Sequence, residues 1–130
     1  RSPSPAWWNS LIDNLISNGY TVSHYGMPWD PILSHKHGYE VYPHLPYFEQ
    51  VKSALASRLV LGTDSGAMWV MGAYNHPAIN LMTNWLPNHN QNLLALEPVN
   101  DNSRTFFEKG GCDNIDVKSV FYSILETVPL

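Results

Sequence analysis

Thr63-Asp64-Ser65-Gly66 lies between an apolar run, Leu59-Val60-Leu61, and a stretch from Ala67 onward that reads as a helix. A turn placed there gathers the unpaired N–H groups of a helix start, and the positive end of its dipole, at the end of a strand. Together these favour an anion such as phosphate. Gly66 has no Cβ and lets a ligand approach the backbone closely. The Asp64 carboxylate would repel a phosphate, so its better uses are to orient Thr63 and the turn or to bond a sugar or ribose hydroxyl. Asp and Ser are also favoured helix caps, and capping alone accounts for both residues without a ligand.

Other chemistry fits less well. Asp64-Ser65-Gly66 is also the catalytic triplet of aspartic proteases, where two aspartates share a proton because like charges so close cannot both ionise. A chain of this size suits a homodimer of that kind using Asp64, but the protease fold is all-β and this triplet is followed by helix-like sequence. A serine-hydrolase elbow needs glycine two residues before and two after the serine. Here Gly62 is three before Ser65 and Gly66 one after. His35, His37, His44 and Glu40 share one stretch, with His24 nearby, and His with carboxylate suits zinc. Their spacing matches no metal motif, so solvated loop histidines or contacts to a base or ribose are the better readings, and no metal site is assigned. Tyr39 and Tyr42 are candidates to stack on a base. Asn84, Asn88, His89, Asn90 and Asn92 offer neutral hydrogen-bonding groups suited to sugar hydroxyls, as does any turn-rich surface loop.

The elements that must position these residues alternate between helix and strand. Ser2-Pro3-Ser4-Pro5 is a stiff entry to a helix carrying Trp8, Leu11, Ile12, Leu15 and Ile16 at spacings of three and four and ending near Asn18-Gly19. Thr21 to Tyr25 reads as a strand, Gly26-Met27-Pro28-Trp29-Asp30-Pro31 as a loop, and Tyr39 to Tyr42 as a short strand. A helix is expected from about Tyr47 to Ser57 with Phe48, Val51, Ala54 and Leu55 on one face. After the central turn and its helix, in which Trp69 reads as core, comes a strand over Ala78 to Met82. Asn84 to Asn92 is a polar loop, Leu93 to Leu96 a further candidate strand, and Asn100 to Gly111 irregular. A closing helix spans Asn114 to Thr127, capped by Asp113 or Asn114. Strands alternating with helices at this spacing indicate an α/β fold, a three-layer sandwich on a mainly parallel, Rossmann-like sheet. Such folds begin on a central strand, yet the segment at Arg1 already reads as the loop that follows one, so the first strand is expected to be missing and the chain to be part of a longer protein.

The 130 residues fit one domain, 1–130, and a hydrophobic content of 44% suits a globular chain. No apolar run is long enough to span a bilayer. A net charge of −4 with only 7 Lys and Arg leaves no electrostatic footprint for nucleic acid. The single Cys112 excludes an internal disulfide and points to a reducing, cytoplasmic setting.

Thr63-Asp64-Ser65-Gly66-Ala67-Met68, after an apolar strand and before a helix closed by His76-Pro77 and a new strand, resembles the [ST]-D-[ST]-G-x-x-H segment of glycosyltransferase family 9, the ADP-heptose:lipopolysaccharide heptosyltransferases. The resemblance extends to the helix at Trp7-Trp8-Asn9-Ser10-Leu11-Ile12, the strand at Thr21–Tyr25 and the Gly26-Met27-Pro28 loop with its acid at Asp30. It implies the C-terminal, donor-binding domain of a GT-B fold, with Asp64, Ser65, Gly66, Ala67 and Met68 lining a donor-phosphate site beside Thr63. It also implies that Arg1 faces the same phosphates and that Asp30 helps hold the donor. The family's histidine after the turn is Trp69 here. The implied partner is a nucleotide-diphosphate sugar. No cofactor is implied, and the catalytic base and the glycan-type acceptor belong to an N-terminal domain that is absent, so this chain alone is expected to be inactive. The competing reading is a Rossmann-like interaction domain that has lost its ligand.

Overall fold

The computed structural model describes residues 2–43, 45–63, 66–82 and 101–130. Helix α1 (Pro5–Ser17) starts where Ser4 accepts a hydrogen bond from the Trp7 amide and proline occupies the first turn. It ends in a Schellman arrangement, with Gly19 at φ 95° and the amides of Gly19 and Tyr20 returning to Ile16 and Leu15. Strands β1 (Val22–Tyr25) and β2 (Tyr39–Tyr42) pair in parallel. Helix α2 (Tyr47–Ala56) carries the chain over to β3 (Val60–Thr63), and helix α3 (Gly66–Ala73) then leads to β4 (Ala78–Leu81). Helix α3 also closes in a Schellman arrangement, with Asn75 in the left-handed region. Strand β5 (Ser103–Phe106) completes a parallel sheet of order β3-β4-β5, a short 3-10 turn follows at Cys112–Asn114, and α4 (Val117–Thr127) closes the chain.

Alternation along the strands sorts the core into two layers. Leu59, Leu61, Ile79 and Leu81 face Trp7, Leu11 and Leu15 of α1 and Val120 and Ile124 of α4. Val60 and Ala78 face the other way, onto Met68 and Met71 of α3 and Val51, Ala54 and Leu55 of α2. The result is the expected three-layer α/β sandwich. Two long-range hydrogen bonds fasten the ends of the chain. Trp7 Nε1 donates to the Ile115 carbonyl at 2.8 Å, and the Tyr20 hydroxyl donates to the Val128 carbonyl at 2.7 Å.

Several expectations need correction. Among the described residues the strands form two sheets rather than one, because β1 and β3 do not pair. Strand β5 lies inside the stretch read as irregular. Its sequence, Ser-Arg-Thr-Phe, has no apolar alternation, and pairing with the buried β4 makes it a strand. The closing helix is capped by Asp116, whose side chain accepts from the Ser119 amide, while Asp113 instead accepts from the Ser4 amide. Phe48 is 72% exposed, since α2 turns Val51, Ala54 and Leu55 inward and leaves Phe48 outside their arc. Leu93 to Leu96 and the Asn84–Asn92 loop lie outside the described residues.

Candidate functional site

Strand β3 delivers Thr63 to the C-terminal edge of its sheet, and α3 begins at Gly66, so the helix start stands where ligands collect in open parallel sheets. Asp64 and Ser65, between them, lie outside the described residues, as do Arg1 and His44. Gly66 is exposed and its φ is not left-handed, so the fold does not demand glycine there. Among the described residues, a Cβ added at Gly66 would meet only the Tyr47 hydroxyl, at an ordinary 3.5 Å. Among the described residues, therefore, nothing but one phenolic hydroxyl comes near the missing Cβ of Gly66 in the first turn of α3. Sequence reasoning did not single out Tyr47, and no local pattern marks it, because α2 brings it to the site through the fold.

Thr63, Ala67, Met68 and Asp30 all line one cavity of about 1180 Å³, and Tyr47 joins them. Met68 is 2% exposed and its side chain packs over Gly62, where a Cβ would come within 3.0 Å of its sulfur. What Met68 can offer a ligand is its backbone N–H. Trp69 is 40% exposed rather than core. Met68, Met71 and Gly72 form the buried stripe of α3 at helical spacing, and that leaves the intervening Trp69 turned out.

Asp30 reaches the same cavity from the loop after β1. Its Oδ2 accepts from the Met27 amide at 2.8 Å while its own amide donates to the Met27 carbonyl, so the carboxylate first shapes its loop. A Cβ at Gly26 would collide with that carboxylate and crowd the His24 ring, so any larger residue there would displace Asp30 from its place in the loop. The Tyr39 hydroxyl accepts from the Leu33 amide at 3.2 Å and lies 2.8 Å from His24 Nδ1. The hydroxyl thus ties the His24 ring to the Leu33 amide, and Nε2 is left facing Gly26. Burial holds the His24 pKa below its ordinary value against the pull of the nearby Asp30 charge, disfavouring the imidazolium. Burial likewise raises the Tyr39 pKa, opposed by the Leu33 N–H. Tyr42 stacks on Tyr25 with ring centres 5.3 Å apart, and its hydroxyl bonds to Glu40, which raises its pKa. Tyr39 and Tyr42 are thus each engaged within the protein. No group of His, Cys, Asp and Glu suited to a metal ion occurs among the described residues.

Two parallel sheets flanked by helices, with a helix start opening at a strand's C-terminal edge, define a Rossmann-like α/β domain. Compared with solved structures, the chain has the fold of E. coli heptosyltransferase WaaC, determined with ADP, at a TM-score of 0.78 and 17% identity over 96% of this chain. The match spans 39% of the length of the solved chain. No protein-family model and no curated protein matches the sequence. The heptosyltransferase-like glycosyltransferase fold therefore rests on architecture. It also removes the aspartic-protease reading, whose all-β frame is absent.

Proposed function

We propose that this domain holds the diphosphate of a nucleotide sugar over the start of α3, as the donor-binding half of a glycosyltransferase acting on a glycan-type acceptor. The observation that carries the reading is the cavity lined by Thr63, Ala67, Met68 and Tyr47 at the C-terminal edge of β3, beside a Gly66 whose missing Cβ would, among the described residues, meet only the Tyr47 hydroxyl. Fixed backbone N–H groups there would stabilise charge developing on a leaving diphosphate without reorganising. Asp30, with one carboxylate oxygen committed to its loop, would present the other to a donor hydroxyl. The Asp64 side chain would organise the turn or bond a sugar hydroxyl, and Ser65 and Arg1 would complete the phosphate contacts. The acceptor and the catalytic base would come from a further domain. The fold shared with an ADP-bound heptosyltransferase supports this reading.

Exposed Trp69 favours one competitor, an interaction domain that keeps the fold without the ligand. Titration of the labelled chain with ADP, UDP and GDP separates the two. Donor binding predicts amide shift changes centred on Gly66, Ala67 and Met68 with at least one nucleotide. A flat response to all three would overturn donor binding and favour the interaction domain.

A further inference from the structure

The apolar packing of β4 is interrupted at one residue. Asn80 is 0% exposed and stands between Ile79 and Leu81, which are as deeply buried. Its register partners are Gly62 on β3 and Thr105 on β5, and two residues back the row is Val60, Ala78 and Ser103. Register partners in a sheet share a face, as do residues two apart on a strand. Ala78 packs on Met68 and Met71, so this is the face turned towards α3. Arg104 belongs to the opposite face, where it pairs with Ser123 and Glu126 of α4. The six residues of the α3 face carry no charge.

Asn80 Nδ2 and Oδ1, Ser103 Oγ and Thr105 Oγ1 are all buried, and among the described residues none of them has a hydrogen-bond partner. Adjacent strands lie roughly 4.8 Å apart, so the Asn80 and Thr105 side chains are neighbours. Buried polar atoms left unpaired are costly, and folded proteins pair nearly all of them with protein or with ordered water. The atom types decide what can join these four. Nδ2 only donates and Oδ1 only accepts, while the two hydroxyls do both. An anion would serve Nδ2 and leave Oδ1 unpaired, and a cation would do the reverse. The group that satisfies the whole set must both donate and accept, and must be small enough to sit between two neighbouring strands. Water meets both conditions.

We propose that Asn80, Thr105 and Ser103 form an internal hydration site, in which a resident water bridges the Asn80 amide to the Thr105 hydroxyl on the α3 face of β4 and β5. With Asn80 fully buried, the water is held as part of the fold and does not come and go with a ligand. Buried waters of this kind make about three hydrogen bonds, which the Asn80 amide and the Thr105 and Ser103 hydroxyls can supply. The site lies one residue inside the C-terminal edge of the sheet, level with Gly62, over which Met68 packs from the start of α3. It accounts for an asparagine in the middle of a strand that is buried at every position.

The test is water-selective NMR on the labelled chain without nucleotide, joined to thermal melts. The Asn80 side-chain NH2 protons should show cross-relaxation with water of opposite sign in the laboratory and rotating frames, the mark of a water that tumbles with the protein. Thr105→Val keeps the shape and removes the hydroxyl. It should weaken or abolish those peaks and lower the melting temperature by roughly 3 °C or more, because the water and the amide lose a partner. Thr105→Ser keeps the hydroxyl and should keep the peaks. Asn80→Leu combined with Thr105→Val should cost less than the sum of the two single changes, since both act through one water. A folded chain without water peaks at Asn80 would overturn the proposal, as would contacts from its NH2 protons to a protein acceptor in place of water. So would a rise in melting temperature for Thr105→Val, which would mean that the hydroxyl had no partner to lose. None of these readouts depends on donor binding.

Discussion

The two sheets are held by different physics. In β3-β4-β5 the central strand is buried at every position, and Ile79 and Leu81 are sealed between α1 and α4. In β1-β2 no strand residue is fully buried. That pair relies on the His24–Tyr39 hydrogen bond, the Tyr25–Tyr42 stack and a loop fastened by Asp30 and Leu33. Burial is strong and non-directional, and it fixes where a layer lies. Hydrogen bonds and ring contacts are weaker singly but set the orientation of particular groups. The candidate site spans both, with its helix start on the buried half and Asp30 on the polar half.

That contrast can be broken by substitution. Leu81→Ala on the buried half should cost about 2–5 kcal/mol by the loss of buried methyl groups and the cavity left behind, and should lower the melting temperature of the whole domain. On the polar half, Tyr39→Phe leaves the Leu33 amide and His24 Nδ1 without their shared partner. It should cost about 1–3 kcal/mol, with faster hydrogen exchange concentrated between Gly26 and Tyr42 and little change in β4.

A third effect is set by pH. Burial holds the pKa of both His24 and His76 below the ordinary 6.5, so the unfolded chain takes up protons that the folded chain resists. Stability should be full above about pH 6.5 and fall as the pH drops below it. His24→Gln should flatten part of that fall in thermal melts and His76→Gln another part, while Asp30→Asn, by removing a charge that favours the His24 imidazolium, should steepen it. The smallest effect is expected at the exposed Arg104–Glu126 pair, 3.1 Å apart. Glu126→Gln should shift stability by less than about 1 kcal/mol, and less still at high salt.

The same division explains what the sequence disclosed. Helix α1 was legible from Trp8, Leu11 and Leu15 at helical spacing and from Asn18-Gly19 at its end, and β4 from the apolar run after Pro77. Both are specified by their own residues. Strand β5 was not, because Ser103 and Thr105 become strand only through their pairing with Ala78 and Asn80. The turn before α3 was legible as a helix start at a strand end. The approach of Tyr47 to Gly66 was not, nor was the His24–Tyr39 bond, since both depend on how separate elements are docked. Trp69 was misread because α3 is apolar nearly all round and offers no polar face to set its rotation.

The account stands most directly on Gly66. The fold has room for a side chain there, so Gly66→Val should leave the chain folded, with its melting temperature little changed. If a donor diphosphate occupies the space above the first turn of α3, calorimetric titration with ADP should show affinity reduced by roughly tenfold or more, the equivalent of about 1.4 kcal/mol. Unchanged ADP affinity in a folded Gly66→Val chain would contradict the account.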